Sequence, residues 1–402
     1  MSDAEIFNGR RIMKIGIITY YYGSTNYGAV LQSYAFCRVL KEMHYDAEQI
    51  CYDGSPNNYL EDVTYAQRIV RKLKKCLLHP LQAFPTVFRH LYQMWVRHNV
   101  QKRKEVFSHF RNEKISHSII VYKNDAIKKA NSFYDIFITG SDQVWNLDGF
   151  KKAFFLYFAE QGKIKMSYAA SISKLSLNEE EKQIFRDYVN DYFAISVREK
   201  SAVNLLSGVV DNVEWCLDPT LLLSSENWDE IASERVESER YVLGFFISGD
   251  KKFRKRAKHY AKEKGLKYIE IPFYEKNFHF RDKRMYGVGP AEFISLIKYA
   301  DFVFTDSFHA SVFSILYERQ FFAFVRNDHP GMVSRLKDLT ALFDCEDRVC
   351  DTQEKQTTKY FDGLGSGNLV YKKEKYNIMK DKSIAFLKKN LTKAFEILKD
   401  ED

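Results

Sequence analysis

Apolar runs with the length of buried strands alternate along this chain with segments of helical periodicity, and the alternation occurs twice. The first run, residues 14–22, leads through a glycine-bounded turn into residues 29–43, where apolar residues recur at helical spacing, and then into a short strand at 46–52. The pattern restarts at 241–247 and continues to 333–342. Because strands separated by helices form parallel sheets, the sequence predicts an α/β fold of two doubly wound domains with a ligand cleft between them.

The length of 402 residues suits two domains. We predict a first domain over residues 13–223, a second over 238–376 and a closing helix over 377–402. A helical insertion at about 60–115 interrupts the first domain. Between residues 66 and 114 it holds twelve Lys and Arg residues against only two Glu, with aromatic residues between them.

The formal net charge of +8 favours anionic partners. None of the six cysteines lies in a CxxC pair or a zinc-ligand spacing, so we expect reduced thiols in a cytoplasmic protein. We see no signal peptide and no apolar run near 18 residues, so any membrane contact is expected to be peripheral. Nucleic-acid binding ranks low because the basic insertion lacks a recognised module.

Two loops that follow predicted strands of the first domain carry polar and aromatic side chains suited to sugars. One is the turn at 23–28 and the other is the segment at 139–146, in which a tryptophan offers a stacking face. The alternatives are an ordinary turn for the first loop and a capped helix start with a core tryptophan for the second. The predicted sugar-binding residues are Asn26, Tyr27, Gly28, Gln32, Ser141, Asp142, Gln143, Trp145 and Asn146.

Two further segments place charged side chains at predicted strand ends. Arg198 follows one strand, where a guanidinium grips phosphate or carboxylate, and the alternative is a surface ion pair with Glu199. His309 begins a predicted helix in the second domain, where it can serve as an acid or base, or merely cap or pack. Asp218 and Arg326 are further candidates for the cleft.

Seven segments in a fixed order resemble the polysaccharide pyruvyl transferase family. They run from residue 26 to 340, and the ordered set is far more specific than any single motif. The segments are NYGAVLQSYA (26–35), FITGSDQVWN (137–146), SYAAS (167–171), SVREKSAV (196–203), LDPTLLL (217–223), GPAEFISLIKYADFVFTDSFHASVFSILY (289–317) and SRLKDLT (334–340).

The resemblance implies a glycosyltransferase-B-like architecture of two Rossmann-like domains. It implies phosphoenolpyruvate as co-substrate, with no other cofactor and no metal, and a pyruvate ketal on a capsule or exopolysaccharide precursor as product, with release of phosphate. The family's acceptors are often lipid-linked. The basic insertion is therefore expected either to dock on an anionic membrane or to be a solvated helical face.

The same resemblance implies that Arg198 and His309 lie near the donor, and we expect them within roughly 20 Å of each other across the cleft. Several branches of the family carry an arginine where this chain has Ser307, and often a glycine where it has Ala310. The missing cation must then come from elsewhere. The predicted donor-binding residues are Arg198, Ser307, His309 and Arg326, with Arg335 as another source of charge.

For catalysis, the transfer needs an acid for the methylene carbon of the donor and a base for the sugar hydroxyl. We predict that His309 moves protons with help from Asp142 or Asp306, and the choice of carboxylate stays open. Two alternatives remain, which are a sugar-nucleotide glycosyltransferase of the same fold and an inactive polysaccharide-assembly protein.

Overall fold

The computed structural model describes residues 6–7, 10–11, 13–54, 80–248, 250–273, 285–326, 331–350 and 371–401. Its first parallel sheet has the strand order β3-β2-β1-β4-β5. All four residues of the central strand β1 are buried, as expected for a parallel strand with neighbours on both sides. The strands are β1 (Ile15–Ile18), β2 (Ala47–Asp53), β3 (His117–Lys123), β4 (Ile136–Thr139) and β5 (Ile164–Ser167).

A parallel pair, β6 (Ile195–Val197) and β7 (Val213–Trp215), extends this sheet through a bridge between Met166 and Ala194. The second parallel sheet has the order β9-β8-β10-β11-β12. Its strands are β8 (Tyr241–Phe246), β9 (Lys267–Pro272), β10 (Phe302–Thr305), β11 (Gln320–Phe324) and β12 (Val349–Cys350).

Helices follow most strands. They are α1 (Tyr27–Glu42), α2 (Pro80–Lys114), α3 (Glu179–Val189), α4 (Lys200–Leu206), α5 (Ser225–Asp229), α6 (Lys251–Glu263), α7 (Pro290–Lys298), α8 (Phe308–Leu316), α9 (Gly331–Ala341) and α10 (Glu374–Glu401). The prediction of an α/β fold with two Rossmann-like units is confirmed. Sequence analysis did not predict β3, which lies at the sheet edge and leaves Ile119 98% exposed, so it lacks the pattern of a buried strand.

Strand order reverses once in each sheet, between β1 and β4 in the first and between β8 and β10 in the second. Ligands of open α/β sheets bind in the crevice at the carboxyl ends of such strands. The two units meet close to these crevices. The hydroxyl of Tyr27 donates to the carbonyl of Val288 at 2.9 Å, and its ring stacks on Phe293 at 4.3 Å. The fold therefore brings loops of both units to one place.

The closing helix α10 begins at Glu374, three residues before the predicted start, and it packs against the first unit. Ser383 accepts a hydrogen bond from the backbone N–H of Leu217 at 2.9 Å. The ring of Phe386 lies 6.3 Å from that of Tyr168. The end of the chain thus crosses back to the unit in which it begins.

Helix α2 forms the described part of the basic insertion, and several of its side chains are used inside the protein. Arg103 and Arg111 are buried and donate to backbone carbonyls of the loop before α1, those of Thr25 and Ser24 respectively. Arg103 also donates to the carbonyl of Pro272 in the second unit. Trp95 packs edge-on against Tyr286, with ring centroids 5.0 Å apart. Some of the basic side chains of α2 therefore connect the two units.

Candidate active site between the two units

A buried ion pair of Arg198 and Asp218 forms the centre of the site. Arg198 follows β6 directly, and its Nη1 lies 2.8 Å from Oδ2 of Asp218. Ser141, from the loop after β4, donates to the same Oδ2 at 2.9 Å. The other oxygen, Oδ1, accepts from the backbone N–H and hydroxyl of Thr220 and so caps the short helical turn Pro219–Leu221. One carboxylate thus joins three segments of the first unit.

His309 reaches the same carboxylate from the second unit, where it is the second residue of α8. Its Nε2 lies 3.6 Å from Oδ2 of Asp218, beyond hydrogen-bond length, and this nitrogen has no hydrogen-bond partner among the described residues. Burial raises the pKa of Asp218, but His309, Arg198 and Thr220 outweigh burial and hold the pKa well below its usual range. Arg198 and His309 therefore both lie next to Oδ2 of Asp218, and the distance between them is far shorter than the predicted limit of roughly 20 Å.

The ring of His309 rests on the first turn of α1. A Cβ placed on Gly28 would lie 2.0 Å from Nδ1 of His309, so no side chain fits at this position. The N-cap of α1 is Asn26, whose side chain accepts from the N–H of Gly28 at 3.0 Å. The first turns of α1 and α8, one from each unit, thus meet at His309.

We expect Gly28→Ala to destabilise the protein by about 1–3 kcal/mol, because the added methyl group overpacks this contact. A loss of stability would be informative, because helix propensity alone predicts a gain, alanine being about 1 kcal/mol more favourable than glycine in a helix. Urea unfolding measures the change. Gly149→Ala is the matched control, because a Cβ there meets nothing within 4 Å. A Gly28→Ala variant as stable as the wild type would contradict the packing of His309 on α1.

A second buried guanidinium lies beside the first. Nε of Arg335, on α9, is 3.7 Å from Oε1 of Glu199, and Nε of Arg198 is also 3.7 Å from that oxygen. Burial, with the charges of Arg198 and Arg326, lowers the pKa of Arg335 to about 10, against the raising effect of Glu199 and Asp142. The described carboxylates therefore leave the positive charge at Arg335 incompletely balanced.

Several N–H groups of this cluster are unused. Nε and Nη2 of Arg198 and Nε of Arg335 are buried without a hydrogen-bond partner in the described part of the chain. Buried guanidinium groups left this way are costly unless a ligand completes them. The cavity between Arg198, Phe308 and Arg335 has a volume of about 20 Å³, roughly the space of one water molecule. A phosphate or carboxylate group would fit the chemistry of this cluster, but a cavity of this size does not hold such a ligand in the arrangement described.

Five of the predicted sugar-binding residues are buried. Trp145 is 0% exposed and packs among Phe155, Phe185 and Tyr192, and its indole N–H donates to the carbonyl of Phe154. It is a core residue, so the prediction of a stacking face is wrong, because its ring is enclosed by other aromatic side chains. The other four are Tyr27, Gly28, Gln32 and Ser141.

The remaining four members of that set are partly exposed. Asn146 caps the short helix Leu147–Gly149 and Asn26 caps α1. Asp142 and Gln143 are half-buried. Asp142 adopts φ 77° and lies 3.9 Å from Nη2 of Arg198. A left-handed aspartate is uncommon and is often found at functional sites, so Asp142 is the strongest of these residues.

Asp306 and Ser307 have structural partners that the sequence did not indicate. The buried carboxylate of Asp306 accepts from the N–H groups of Ile247 and Ser248, at 2.6 and 2.8 Å, and so joins β10 to the loop after β8. Burial raises its pKa, although these hydrogen bonds oppose the rise. Ser307 is the N-cap of α8 and accepts from the N–H of Ala310. Neither side chain has a described contact with His309.

Sequence reasoning underrated two residues of the cluster. Asp218 was one of several cleft candidates, yet it lies against Arg198 and His309, and its Asp-Pro-Thr sequence signals only the cap. Glu199 was considered as a surface partner of Arg198, but it is 2% exposed and also accepts from Ser171. Arg326 is buried, and its charge acts on both Asp306 and Arg335. Within the described residues, no group of three or more His, Cys, Asp or Glu is arranged to hold a metal.

Several solved structures resemble this chain at low identity. They include UDP-GlcNAc 2-epimerase from Methanocaldococcus jannaschii, with 12% identity over 90% of this chain and 95% of that chain and a TM-score of 0.44. MnaA from S. aureus with UDP has 10% identity over 88% and 87% and a TM-score of 0.46. The E. coli heptosyltransferase WaaC with ADP has 12% identity over 94% and 100% and a TM-score of 0.39.

A search of the curated proteins finds no match. The family model described as "Polysaccharide pyruvyl transferase" matches residues 26–329, which is more than half of the 402-residue chain. This range includes Arg198, Asp218 and His309. The chain therefore belongs to the polysaccharide pyruvyl transferase family.

Proposed function

We propose that this protein transfers a pyruvyl group from phosphoenolpyruvate to a sugar of a surface-polysaccharide precursor. One observation supports this most, which is the pair of buried guanidinium groups with unused N–H donors beside His309. Phosphoenolpyruvate carries a phosphate and a carboxylate, the two groups that arginine binds bidentately. Arg198 and Arg335 would hold these two groups. Arg326 would supply the positive charge that several branches of the family have at the position of Ser307.

In the proposed reaction, a sugar hydroxyl adds to C2 of phosphoenolpyruvate while C3, the methylene carbon, gains a proton and becomes a methyl group. The bond between C2 and the phosphate oxygen then breaks, and phosphate leaves. A second hydroxyl of the same sugar attacks C2 and loses its proton, which closes the ketal. The two hydroxyl groups lose two protons in total. One proton is balanced by the proton that C3 gains and the other leaves with phosphate, so no oxidant or reductant is needed.

In this scheme His309 delivers the proton to C3, because its Nε2 is uncommitted and lies beside the guanidinium cluster. Asp142 is the better candidate for the base. It is half-buried at the edge of the cluster, whereas the carboxylate of Asp306 is buried and occupied by two backbone N–H groups. Asp218 would position His309 and Arg198 rather than contact the reacting atoms.

The test is release of phosphate from phosphoenolpyruvate by the full chain, measured over a panel of free and lipid-linked oligosaccharides. Turnover of a nucleotide sugar without any effect of phosphoenolpyruvate would instead select a glycosyltransferase. The proposal would be contradicted if none of the acceptors in the panel caused phosphate release and phosphoenolpyruvate did not bind.

Arg335→Lys should raise the KM for phosphoenolpyruvate about tenfold, because an ammonium cannot form the paired hydrogen bonds of a guanidinium. We expect a smaller change in kcat. Arg240→Lys is the control, since Arg240 is exposed, pairs with Asp301 and precedes β8 at the opposite end of that strand. An unchanged KM in Arg335→Lys would remove Arg335 from the donor site.

We also propose that the acceptor is lipid-linked and that the protein approaches it at an anionic membrane. In the described part of α2, Arg97, His98 and Lys104 are exposed, and so are Leu91 and Met94, which supports a surface of mixed basic and apolar character. Within the basic insertion, Lys72, Lys74 and Lys75 lie outside the described residues, as does the side chain of Phe88. No helix in the described ranges is long and apolar enough to cross a bilayer.

A further inference from the structure

Two tyrosines stand at the reversal point of the first sheet, beside the proposed transfer site. Tyr20 comes two residues after β1, and Tyr52 is near the end of β2. Both rings rest on Phe154, with ring centroids at 4.2 and 5.9 Å, and both tyrosines are half-buried. The carbonyl of Phe154 is itself fixed by hydrogen bonds from the hydroxyl of Thr139 and the indole N–H of Trp145. The rings are therefore held by the protein core while part of each stays accessible.

Lys151 completes this group, which we call the tyrosine platform (Tyr20, Tyr52 and Lys151). The ammonium of Lys151 lies 5.8 Å from the centroid of the Tyr20 ring and donates to the carbonyl of Gly54 at 3.1 Å. An ammonium has three donors, so two remain for a ligand. The hydroxyls of Tyr20 and Tyr52 have no hydrogen-bond partner among the residues that the structure describes. Aromatic faces edged by free hydroxyl and ammonium groups suit a sugar ring.

Asp142 connects the platform to the transfer site. Its carboxylate lies 3.9 Å from Arg198. Burial raises the pKa of Tyr20 to about 12, and the negative charge of Asp142 is the second largest cause of this rise. Asp53 and Asp125 act in the same direction on Tyr52. Cations offset these carboxylates, since Asp142 pairs with Arg198, Lys123 lies 3.8 Å from Asp53 and Lys151 lies over Tyr20. The charges at the platform are therefore partly balanced, which suits a neutral polyhydroxyl compound.

We propose that the tyrosine platform is a second sugar subsite, which binds the neutral sugar next to the one that receives the pyruvyl group. The inference rests on the proposed function, because the receiving sugar is placed between Asp142 and His309. It assigns to this protein an acceptor of at least two sugar units. It also gives the stacking role to Tyr20 and Tyr52 in place of Trp145.

The experiment compares binding of neutral disaccharides, lactose, cellobiose and N-acetyllactosamine, with binding of their methyl monosaccharide glycosides, by ligand-observed NMR titration of the full chain. We expect at least one disaccharide to bind about tenfold more tightly than its monosaccharides. Tyr20→Ala and Tyr52→Ala should each remove most of that gain and leave monosaccharide binding unchanged. Lys151→Met should remove part of it.

Tyr299→Ala is the matched control. Tyr299 is also half-buried and has an ammonium, that of Lys298, 5.4 Å from its ring centroid, but it lies before β10, away from the carboxyl ends of the strands. Trp145→Phe is the second control, because it perturbs the core under the platform, and it should lower the melting temperature without a selective loss of disaccharide binding.

Three results would overturn the inference. They are equal affinity for mono- and disaccharides in the wild type, equal loss of both in the tyrosine variants, and preference for disaccharides that carry a uronate. The same samples are assayed for phosphate release from phosphoenolpyruvate. Disaccharide binding that depends on Tyr20 without any phosphate release would refute the proposed function while the sugar subsite stands, whereas phosphate release without the tyrosine dependence would refute only the subsite.

Discussion

Replacing His309 with alanine should lower kcat for phosphate release by about 10²-fold or more, the usual contribution of a general acid or base. The physical reason is that His309 brings an imidazole beside the Arg198–Asp218 pair, and its Nε2 has no hydrogen-bond partner among the described residues. Binding of phosphoenolpyruvate should change much less, because the guanidinium cluster remains. Steady-state kinetics and a thermal-shift titration with phosphoenolpyruvate separate the two effects.

His309→Gln provides the matched variant, since it keeps a polar side chain of similar reach but cannot be protonated near neutral pH. We expect it to be as slow as His309→Ala. An unchanged kcat in both variants would exclude His309 as the acid or base. Recovery in His309→Gln alone would show that His309 serves as a hydrogen-bonding group, and the proton donor would have to be sought elsewhere.

Asp218→Asn should destabilise the protein by about 3–5 kcal/mol, because it removes the nearest partner of a buried guanidinium and leaves Arg198 only the more distant carboxylates of Glu199 and Asp142. The Asp218 side chain is completely buried, and it accepts hydrogen bonds from Ser141 and from both donors of Thr220. Urea unfolding with fluorescence detection gives the free energy. Asp211→Asn, at an exposed position, is the control and should stay within about 0.5 kcal/mol of the wild type.

The pH dependence gives this prediction a second measurement. Since the folded protein holds the pKa of Asp218 below its unfolded value of about 3.9, the stability that Asp218 contributes is fully present above that pH. It is lost as the pH falls below about 4 toward the folded pKa. The wild type should therefore lose more stability than Asp218→Asn between pH 5 and pH 3, in the roughly two-unit window around that value. Parallel losses in the two proteins would contradict the assignment.

The secondary structure could be predicted well because strands buried on both sides read as apolar runs and the helices keep their periodicity. The strands at the margins show why this fails elsewhere. In β3 the side chains of Ile119, Ile120 and Val121 point largely to solvent, and β12 has only two residues. Neither strand has the sequence pattern of a buried strand, so each is recognised only by its pairing with a neighbouring strand.

The site was only partly predictable, for a different reason. Sequence order shows that Arg198 and His309 follow strands, and the carboxyl ends of parallel strands share an edge. It does not show which way a side chain points once the chain leaves the strand, and for this reason Trp145 was assigned to the surface although it lies in the core. The role of Asp218 was hidden because its partners, Ser141 and His309, are separated from it by 77 and 91 positions.

The meeting of α1 and α8 at His309 has an energetic consequence. The amino end of each helix carries a partial positive charge, and the two belong to different units. Their fields add at one point only when the units are together, so an anion there interacts more favourably with the closed arrangement than with an open one. By thermodynamic linkage, an anion bound there favours the closed arrangement, and closure tightens its binding by the same factor.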